Sequence, residues 1–295
     1  MSIIYTIGLG SMGQGMALSL LRAGHEVYGF DPDNERLAKV TASGGHALTR
    51  KTPAADVLVC VVLNATQTQD ALFGDDGWAK HLKSGGTIVS CATVAPDFAI
   101  QMEAKAQALG LHYLDAPISG GSVRAADGQL SIMASGTPAA FDGADKALMA
   151  MADTIHRLGD QAGPGSAMKA VNQLLAGVHI AAMGEALALA TSQGLDLARV
   201  LDVIRVSAGT SWMFENRAPH VIDADYTPRS MINIWPKDLG IVTQIADTAK
   251  LPLPLTQTAL DQYRAAADAG LGLEDDAAIT KLIASSAGLR LPVDT

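Results

Sequence analysis

Three glycines near the start of the chain stand at the spacing G-x-G-x-x-G, directly after an apolar run. Gly8 allows a tight turn out of a strand, Gly10 lets the backbone approach a pyrophosphate, and Gly13 lets the next helix pack closely on the sheet. That helix would direct N–H groups and its positive dipole end at the phosphates. The sequence therefore predicts a dinucleotide site built from Gly8, Leu9, Gly10, Ser11, Met12 and Gly13.

Asp31 supports this interpretation and selects the dinucleotide. Residues 25–30, HEVYGF, are typical of a second strand that stops at Asp31, where a carboxylate binds a ribose hydroxyl in such folds. No basic residue follows immediately, since the next two are Pro32 and Asp33, so a 2′-phosphate would be repelled. We expect NAD as the cofactor rather than NADP. The alternative is a glycine-rich turn beside an ordinary surface aspartate.

A nicotinamide enzyme also needs a group that moves the proton accompanying the hydride, and Lys169 is the candidate. It follows a glycine-rich break at 163–165, so Ser166 is the expected N-cap of a helix and Lys169 lies in its first turn. The positive helix end and desolvation would lower the lysine pKa toward a range useful for acid–base catalysis. Asn172 and Gln173 share its helix face and could bind substrate hydroxyls or form interdomain hydrogen bonds. From position alone, a solvated surface lysine is the simpler interpretation.

Three other segments carry polar groups at positions where ligands bind. Ser119, Gly120 and Gly121 follow a predicted strand and can offer a hydroxyl and bare N–H groups to a carboxylate. Thr93 stands at the C-terminal end of a strand, where ligands of doubly wound sheets bind. Lys237 stands next to an acid, and a salt bridge at a helix start is its simplest interpretation.

The spacing of apolar runs predicts how these residues are positioned. Up to about residue 158, short apolar runs alternate with helical patterns, and strands are expected at 3–7, 26–30, 57–62, 87–90, 112–115 and 130–134. Residues 166–192 are apolar on nearly every helix face, which predicts burial between domains or subunits. We therefore predict an α/β fold: a Rossmann-type doubly wound sheet at 1–162, then a long interdomain helix and an all-α domain for substrate binding and oligomerisation at 163–295.

Composition narrows the class of protein. The 295 residues, 48% of them hydrophobic, are enough for two domains, and the net charge of −9 gives no footprint for nucleic acid or an anionic membrane. Cys60 and Cys91 lie in apolar runs typical of core thiols, and their spacing implies neither a disulfide nor a metal site. We find no targeting segment and expect no apolar run long enough for a membrane helix, which predicts a cytoplasmic enzyme.

Five segments, taken in this order, resemble the β-hydroxyacid dehydrogenase family. They are GLGSMG at 8–13, CATVAP at 91–96, DAPISGG at 115–121, GPGSAMKAVNQ at 163–173 and KDLG at 237–240, so the match spans essentially the whole chain. The resemblance implies that Lys169 is the catalytic acid/base and that Ser119 to Gly121 hold the substrate carboxylate. It also implies cofactor contacts at Leu63, Asn64, Thr93 and Lys237.

Departures from the usual family pattern bear on the substrate. The second of two asparagines after the lysine is Gln173 here, and residues 90–93 read SCAT instead of D-x-S-T. Strings at 171–182, 211–217 and 225–230 resemble the branch that oxidises the C2 hydroxyl of a four-carbon sugar acid, such as L-threonate, with NAD. Whether His179 or Arg217 contacts the substrate is left open.

Two main alternatives to that activity remain, besides an imine reductase, a class that resembles this fold but usually lacks the lysine. One is a 3-hydroxyisobutyrate or tartronate semialdehyde enzyme on the same scaffold. The other, of a different class, is a non-catalytic module that keeps the fold for oligomerisation or ligand sensing. In each case the apolar helix favours a homodimer or homotetramer.

Overall fold

The computed structural model describes residues 1–292, and the chain forms two compact units. The first unit is Met1–Lys169, and the second begins at Ala170. The division falls inside one long helix, directly after Lys169.

A six-stranded parallel sheet forms the centre of the first unit. Its hydrogen-bonded order β3-β2-β1-β4-β5-β6 is that of the doubly wound dinucleotide-binding fold. The strands are β1 (Ile3–Ile7), β2 (Glu26–Phe30), β3 (His46–Ala47), β4 (Ala55–Cys60), β5 (Leu82–Ser90) and β6 (His112–Asp115). Ile4, Val27, Leu58 and Ile88 are completely buried, as expected where helices cover both faces of a parallel sheet.

Six helices and a second, smaller sheet complete this unit. Side chains at the N-caps fix where several helices begin: Asp33 accepts from the Glu35 amide, and Thr137 from the Ala140 amide. The helices are α1 (Gly13–Arg22), α2 (Asn34–Ala42), α3 (Ala65–Phe73), α4 (Pro96–Ala108), α5 (Gly121–Asp127) and α6 (Pro138–Met151). The smaller sheet has the order β7 (Ile118–Ser119), β8 (Leu130–Ala134) and β9 (Ala152–Arg157).

The strand predictions are confirmed where an apolar run ends at a glycine or an acid. The bounds of β1, β2, β6 and β8 are as predicted, whereas β4 begins and ends two residues earlier and β5 begins at Leu82. Three strands were missed. β3 and β7 have only two residues each, and β9 is mostly polar and exposed, so neither length nor alternation indicated them.

The second unit is helical, as predicted, and no strand is assigned between residues 170 and 292. Its helices are α7 (Pro164–Ser192, shared with the first unit), α8 (Leu197–Ile204), α9 (Trp212–Ile222), α10 (Ile234–Ala249), α11 (Pro254–Ala266) and α12 (Ile279–Ser286). They enclose a core that includes Ile180, Leu187 and Ile279. Within it, the rings of Trp235 and Tyr263 stack with centroids 5.5 Å apart.

One expectation about helix α7 was wrong, and its predicted burial is only partly met within a single chain. By length and composition it could cross a membrane, although a core helix of a soluble protein passes the same test; the expectation that no run was long enough was wrong. Its burial is also incomplete, because Met168, Val171, Leu175 and Leu189 are exposed. Met168, Val171 and Leu175 recur at helical spacing, so they form an apolar stripe on one face.

Candidate active site

The glycine loop lies between β1 and α1. Backbone packing within the protein requires a glycine at two of its positions. Gly8 has φ +86°, and a Cβ there would overlap the Val61 carbonyl oxygen. A Cβ on Gly13 would overlap the carbonyl oxygen of Gly8. Both observations agree with the predicted tight turn and close packing of helix on strand.

At position 10, by contrast, no contact within the protein requires a glycine. A Cβ there would meet only Arg36 Nη1, at 3.8 Å, so the glycine leaves open space beside the loop. In residues 1–292 no side chain caps the N-terminus of α1, which begins just after this space. A helix N-terminus facing open space favours an anion, and a pyrophosphate fits these residues. Of the other loop residues, Leu9 is buried in the core and Ser11 is exposed.

Asp31 is held rigidly beside this loop. Its Oδ2 accepts from the Leu9 amide at 2.7 Å, its Oδ1 accepts from the Asp33 amide at 2.9 Å, and the residue is only 6% exposed. The carboxylate therefore stands at the end of β2, where it is placed to accept ribose hydroxyls.

Arg36 qualifies the argument that no cation stands near Asp31. Its Nη1 lies 3.7 Å from Asp31 Oδ2, and its Nε lies 3.2 Å from Asp33 Oδ2. The prediction from sequence rested on the residues immediately following Asp31. In the structure, the turn into α2 brings Arg36 back toward the end of β2. Two carboxylates oppose this one guanidinium, so the local balance still disfavours a 2′-phosphate.

The other proposed cofactor residues lie in both units. Leu63 and Asn64 follow β4 and Thr93 follows β5, at the carboxyl edge of the sheet where ligands of such folds bind. The Asn64 side chain caps α3 by accepting from the Gln67 amide at 2.9 Å. Lys237 lies in α10, and its Nζ is 2.5 Å from Asp238 Oδ1, the salt bridge that its sequence position indicates.

The fold places Lys169 next to residues 119–121, the segment proposed to hold the substrate carboxylate. Its Nζ donates to the Ile118 carbonyl at 2.8 Å, and the residue is 8% exposed, so the surface interpretation was wrong. Ser119 is the next residue in β7, and Gly120 and Gly121 follow with φ +136° and +78°. The fold therefore gathers an amine, a hydroxyl and bare backbone within the first unit, although these residues are distant in sequence.

Asp115 is a positioning residue that the sequence analysis missed. Its Oδ2 accepts from the amides of Gly163 at 3.0 Å and Ser166 at 2.8 Å, and its Oδ1 accepts from Ser166 Oγ at 2.7 Å. Burial raises the pKa of Asp115, and hydrogen bonds from Ser166, Gly163 and Ser135 act in the opposite direction. An aspartate ending a strand was the available signal, since Asp31 has the same position on β2.

This arrangement corrects the start of α7. The helix begins at Pro164, so Ser166 lies inside the first turn instead of serving as its N-cap, and Lys169 lies in the second turn. The reason is that Asp115, from the end of β6, accepts the hydrogen bonds that a local cap would otherwise accept. The capping carboxylate thereby fixes the first turns of the helix that carries Lys169.

The second unit contains a line of polar side chains. Asn172 Nδ2 donates to Gln173 Oε1 at 2.9 Å, and Gln173 Nε2 donates to Asp238 Oδ2 at 2.5 Å. Asn172 and Gln173 follow Lys169 by three and four residues on α7, so their side chains share its helix face.

Arg217 is committed to a buried ion pair. Its Nε lies 2.6 Å from Asp276 Oδ1, and the indole of Trp235 donates to Asp276 Oδ2 at 3.0 Å. Burial raises the pKa of Asp276, and the charge of Arg217 opposes that shift. These contacts assign Arg217 a structural role within the helical core. His179, the other residue left open, is half-buried on α7.

Comparison with known proteins identifies the family. Residues 3–159 match the family described as the NAD binding domain of 6-phosphogluconate dehydrogenase. Residues 163–283 match the family described as the NAD-binding of NADP-dependent 3-hydroxyisobutyrate dehydrogenase. The chain belongs to the β-hydroxyacid dehydrogenase family. Its segment order and its sheet topology both agree with that membership, which confirms the resemblance and the Rossmann-type fold class.

Relatives match this β-hydroxyacid dehydrogenase over nearly its full length. An L-threonate dehydrogenase of Cupriavidus necator is 45% identical and covers 98% of this chain and 97% of its own. One from Escherichia coli O6:H1 is 43% identical, covering 97% and 95%. A crystal structure named as 3-hydroxyisobutyrate dehydrogenase from Salmonella typhimurium is 45% identical, with a TM-score of 0.90 over 95% of this chain and 99% of that one. The protein is an NAD-dependent hydroxyacid dehydrogenase.

The cofactor of this β-hydroxyacid dehydrogenase is NAD, and the residues at the glycine loop fit it. Open space at Gly10, the uncapped start of α1 and the fixed carboxylate of Asp31 suit a pyrophosphate and a ribose. When bound, the nicotinamide supplies the hydride acceptor for alcohol oxidation.

Replacing Asp31 with serine is expected to weaken NAD binding and strengthen NADP binding. The change removes a carboxylate that repels a 2′-phosphate and frees Arg36 from one of its two acidic neighbours. The ratio of the two dissociation constants should shift by at least about tenfold, or about 1.4 kcal/mol. Titration calorimetry without substrate measures both constants.

The double variant Asp31→Ser/Arg36→Gln is the matched control. It should lose the gain in NADP affinity, since the guanidinium that pairs with the 2′-phosphate is gone. A wild-type enzyme that binds NADP as tightly as NAD would show that Asp31 does not discriminate.

Proposed function

We propose that this dehydrogenase oxidises the C2 hydroxyl of L-threonate to the 2-oxo acid with NAD. The observation that carries the proposal is the similarity to proteins named L-threonate dehydrogenase, at 43–45% identity over 95–97% of their lengths. The chain of Asn172, Gln173 and Asp238 supports it, because amides on the helix face that carries Lys169 suit a polyhydroxylated substrate better than an apolar one.

Lys169 is the proposed general base. Bound NAD would supply the hydride acceptor for C2, and Lys169, as the neutral amine, would take the proton of the C2 hydroxyl as the alcohol becomes a carbonyl. In the reductive direction the same ammonium returns the proton. The bond to the Ile118 carbonyl supports this role by holding Nζ beside the segment that begins at Ser119.

Ser119, Gly120 and Gly121 are the proposed carboxylate site. The Ser119 hydroxyl and the backbone N–H groups of the two glycines can donate to carboxylate oxygens. A Cβ on Gly121 would meet no protein atom within 4 Å, so the glycine leaves room for an approaching ligand. Asn172 and Gln173 complete the proposed substrate contacts on the hydroxyl-bearing carbons.

Oxidation of 3-hydroxyisobutyrate is the second candidate function. It is favoured by the similar crystal structure that carries this enzyme's name, at the same 45% identity. The test is NAD reduction with L-threonate, D-threonate, both erythronates, 3-hydroxyisobutyrate and glycerate, followed by absorbance. A clear preference for L-threonate supports the first assignment, and a preference for 3-hydroxyisobutyrate supports the second.

We further propose a homodimer or homotetramer in which a second copy covers the exposed stripe of α7. Met168, Val171 and Leu175 are large apolar side chains with 43–55% of their surface exposed, which disfavours a free monomer. Light scattering should give a mass of at least twice the 30.5 kDa chain, and Val171→Glu should reduce it. A monomeric wild type would contradict this arrangement.

A cytoplasmic location completes the proposal. Cys60 and Cys91 both carry free, buried thiols, as predicted, which suits a reducing compartment. The proposed nicotinamide chemistry also suits a location where NAD is turned over.

A further inference from the structure

Four side chains of the second unit form a polar line, of which the proposed substrate contacts use Asn172 and Gln173. Asn172 donates to Gln173 at 2.9 Å, and Gln173 donates to Asp238 Oδ2 at 2.5 Å. The other oxygen of Asp238 lies 2.5 Å from Lys237 Nζ. Gln173 and Asp238 are 8% and 3% exposed, so water cannot readily replace these partners.

The Asp238 carboxylate determines how the side-chain amides of Gln173 and Asn172 are oriented. An ionised carboxylate only accepts hydrogen bonds, so Gln173 must present its NH₂ group to Asp238 and its carbonyl oxygen to Asn172. Asn172 must then present its own NH₂ group to Gln173. With the NH₂ group committed, the Asn172 carbonyl oxygen remains, and no hydrogen bond within residues 1–292 uses it. The hydrogen-bonding chemistry of the carboxylate therefore determines the orientation of both amides.

We propose that Asp238 is a positioning residue that acts through Gln173 to present the Asn172 carbonyl oxygen to a substrate hydroxyl. The inference rests on the proposed function, because it supposes a polyhydroxylated acid beside Lys169. It revises the direct contact assigned to Gln173: this side chain orients its neighbour, and Asn172 contacts the substrate. An acceptor at this place selects for a hydroxyl on the carbons beyond C2, that is C3 or C4.

The hydrogen bond from Gln173 to Asp238 depends on the length of the Gln173 side chain. The usual family residue, asparagine, is shorter by one methylene, about 1.5 Å of reach. From the same backbone position it would leave Asp238 Oδ2 beyond hydrogen-bonding distance of the amide. The departure noted in the sequence therefore supplies a side-chain hydrogen bond between α7 and α10, in addition to their apolar packing.

Asp238→Asn is the decisive variant because it reverses the orientation of the Gln173 and Asn172 amides. Lys237 would take the single carbonyl oxygen of the new amide, so its NH₂ group would face Gln173, and Asn172 would present NH₂ in place of oxygen. The assay compares L-threonate with 2-hydroxybutanoate of the same C2 configuration, which lacks the C3 and C4 hydroxyls. We expect kcat/KM for L-threonate to fall by about tenfold or more, and that for 2-hydroxybutanoate by less than about threefold.

Gln173→Met is the second variant, since it removes both hydrogen bonds, keeps the side-chain length and leaves the Lys237–Asp238 pair in place. It should reproduce the selective loss, with the dissociation constant of NAD unchanged. Asp247→Asn, an exposed acid on the same helix α10, is the matched control and should change neither substrate.

The outcomes separate the inference from the proposed function. An equal loss for both substrates in the two variants would indicate general structural damage and overturn the positioning role. Full retention of the L-threonate preference in either variant would overturn it as well, while the substrate assignment stands. A wild-type enzyme without that preference overturns both.

Discussion

Lys169→Ala is expected to lower kcat by about 10²–10⁴, because transfer of a proton by a positioned group contributes that much to a rate. The dissociation constant of NAD should stay the same, since the residues proposed to bind it, the glycine loop and Asp31, do not include Lys169. Steady-state kinetics at saturating substrate, together with titration of NAD in its absence, measure the two effects separately.

Lys169→Arg distinguishes a base from a mere cation. A guanidinium keeps the positive charge but is not deprotonated in proteins, so this variant should be nearly as slow as the alanine variant. Lys105→Ala, at an exposed position on α4, is the control and should retain full activity. If Lys169→Ala retains most of its activity, Lys169 is not the base, and the proton must pass to another group.

Local signals were sufficient for the glycine loop and for five of the six strands of the larger sheet, three of them with their bounds. β1, β2, β6 and β8 are short apolar runs that end at glycine, aspartate or a small polar segment, so their bounds follow from nearest neighbours in sequence. β9 has the opposite character, because most of its residues are polar and exposed. It is a strand only because β8 lies beside it, and a partner that distant in sequence leaves no periodic signal.

The candidate site could be predicted as residues but not as contacts. Lys169 and Ser119 were identified by position and by family motif, whereas the bond from Lys169 to the Ile118 carbonyl joins residues 51 positions apart. Gln173 and Asp238 are separated by 65 positions. Such pairs depend on how helices and strands pack, and a motif does not record which atom faces which.

Two predictions about charged residues also failed to include contacts that only the fold creates. The region after Asp31 was judged free of cations because only the adjacent residues were considered, and the α2 turn returns Arg36 to within 3.7 Å. Arg217 was left open as a substrate contact. Its pairing with buried Asp276 depends on the packing of α9 in the helical core. Electrostatic roles therefore needed the fold before they could be assigned.

The preference for L-threonate over 3-hydroxyisobutyrate is expected to reach at least about a hundredfold in kcat/KM, or about 3 kcal/mol. A site whose amide oxygen accepts a hydrogen bond from a substrate hydroxyl leaves that oxygen unpaired when the substrate lacks the hydroxyl, and the penalty applies in the transition state. Initial rates of NAD reduction across a concentration series for both acids give the ratio directly.

Two variants test which groups produce that ratio. Ser119→Ala should lower kcat/KM for both acids by similar factors, because each carries the carboxylate that Ser119 is proposed to bind. Asn172→Ala should lower it mainly for L-threonate, because the hydrogen bond it removes is made only to the hydroxyl-rich substrate. If 3-hydroxyisobutyrate is the better substrate of the wild type, the threonate assignment fails. The family, the NAD site and the prediction for Lys169 would still hold, since none of them depends on the groups beyond the reacting carbon.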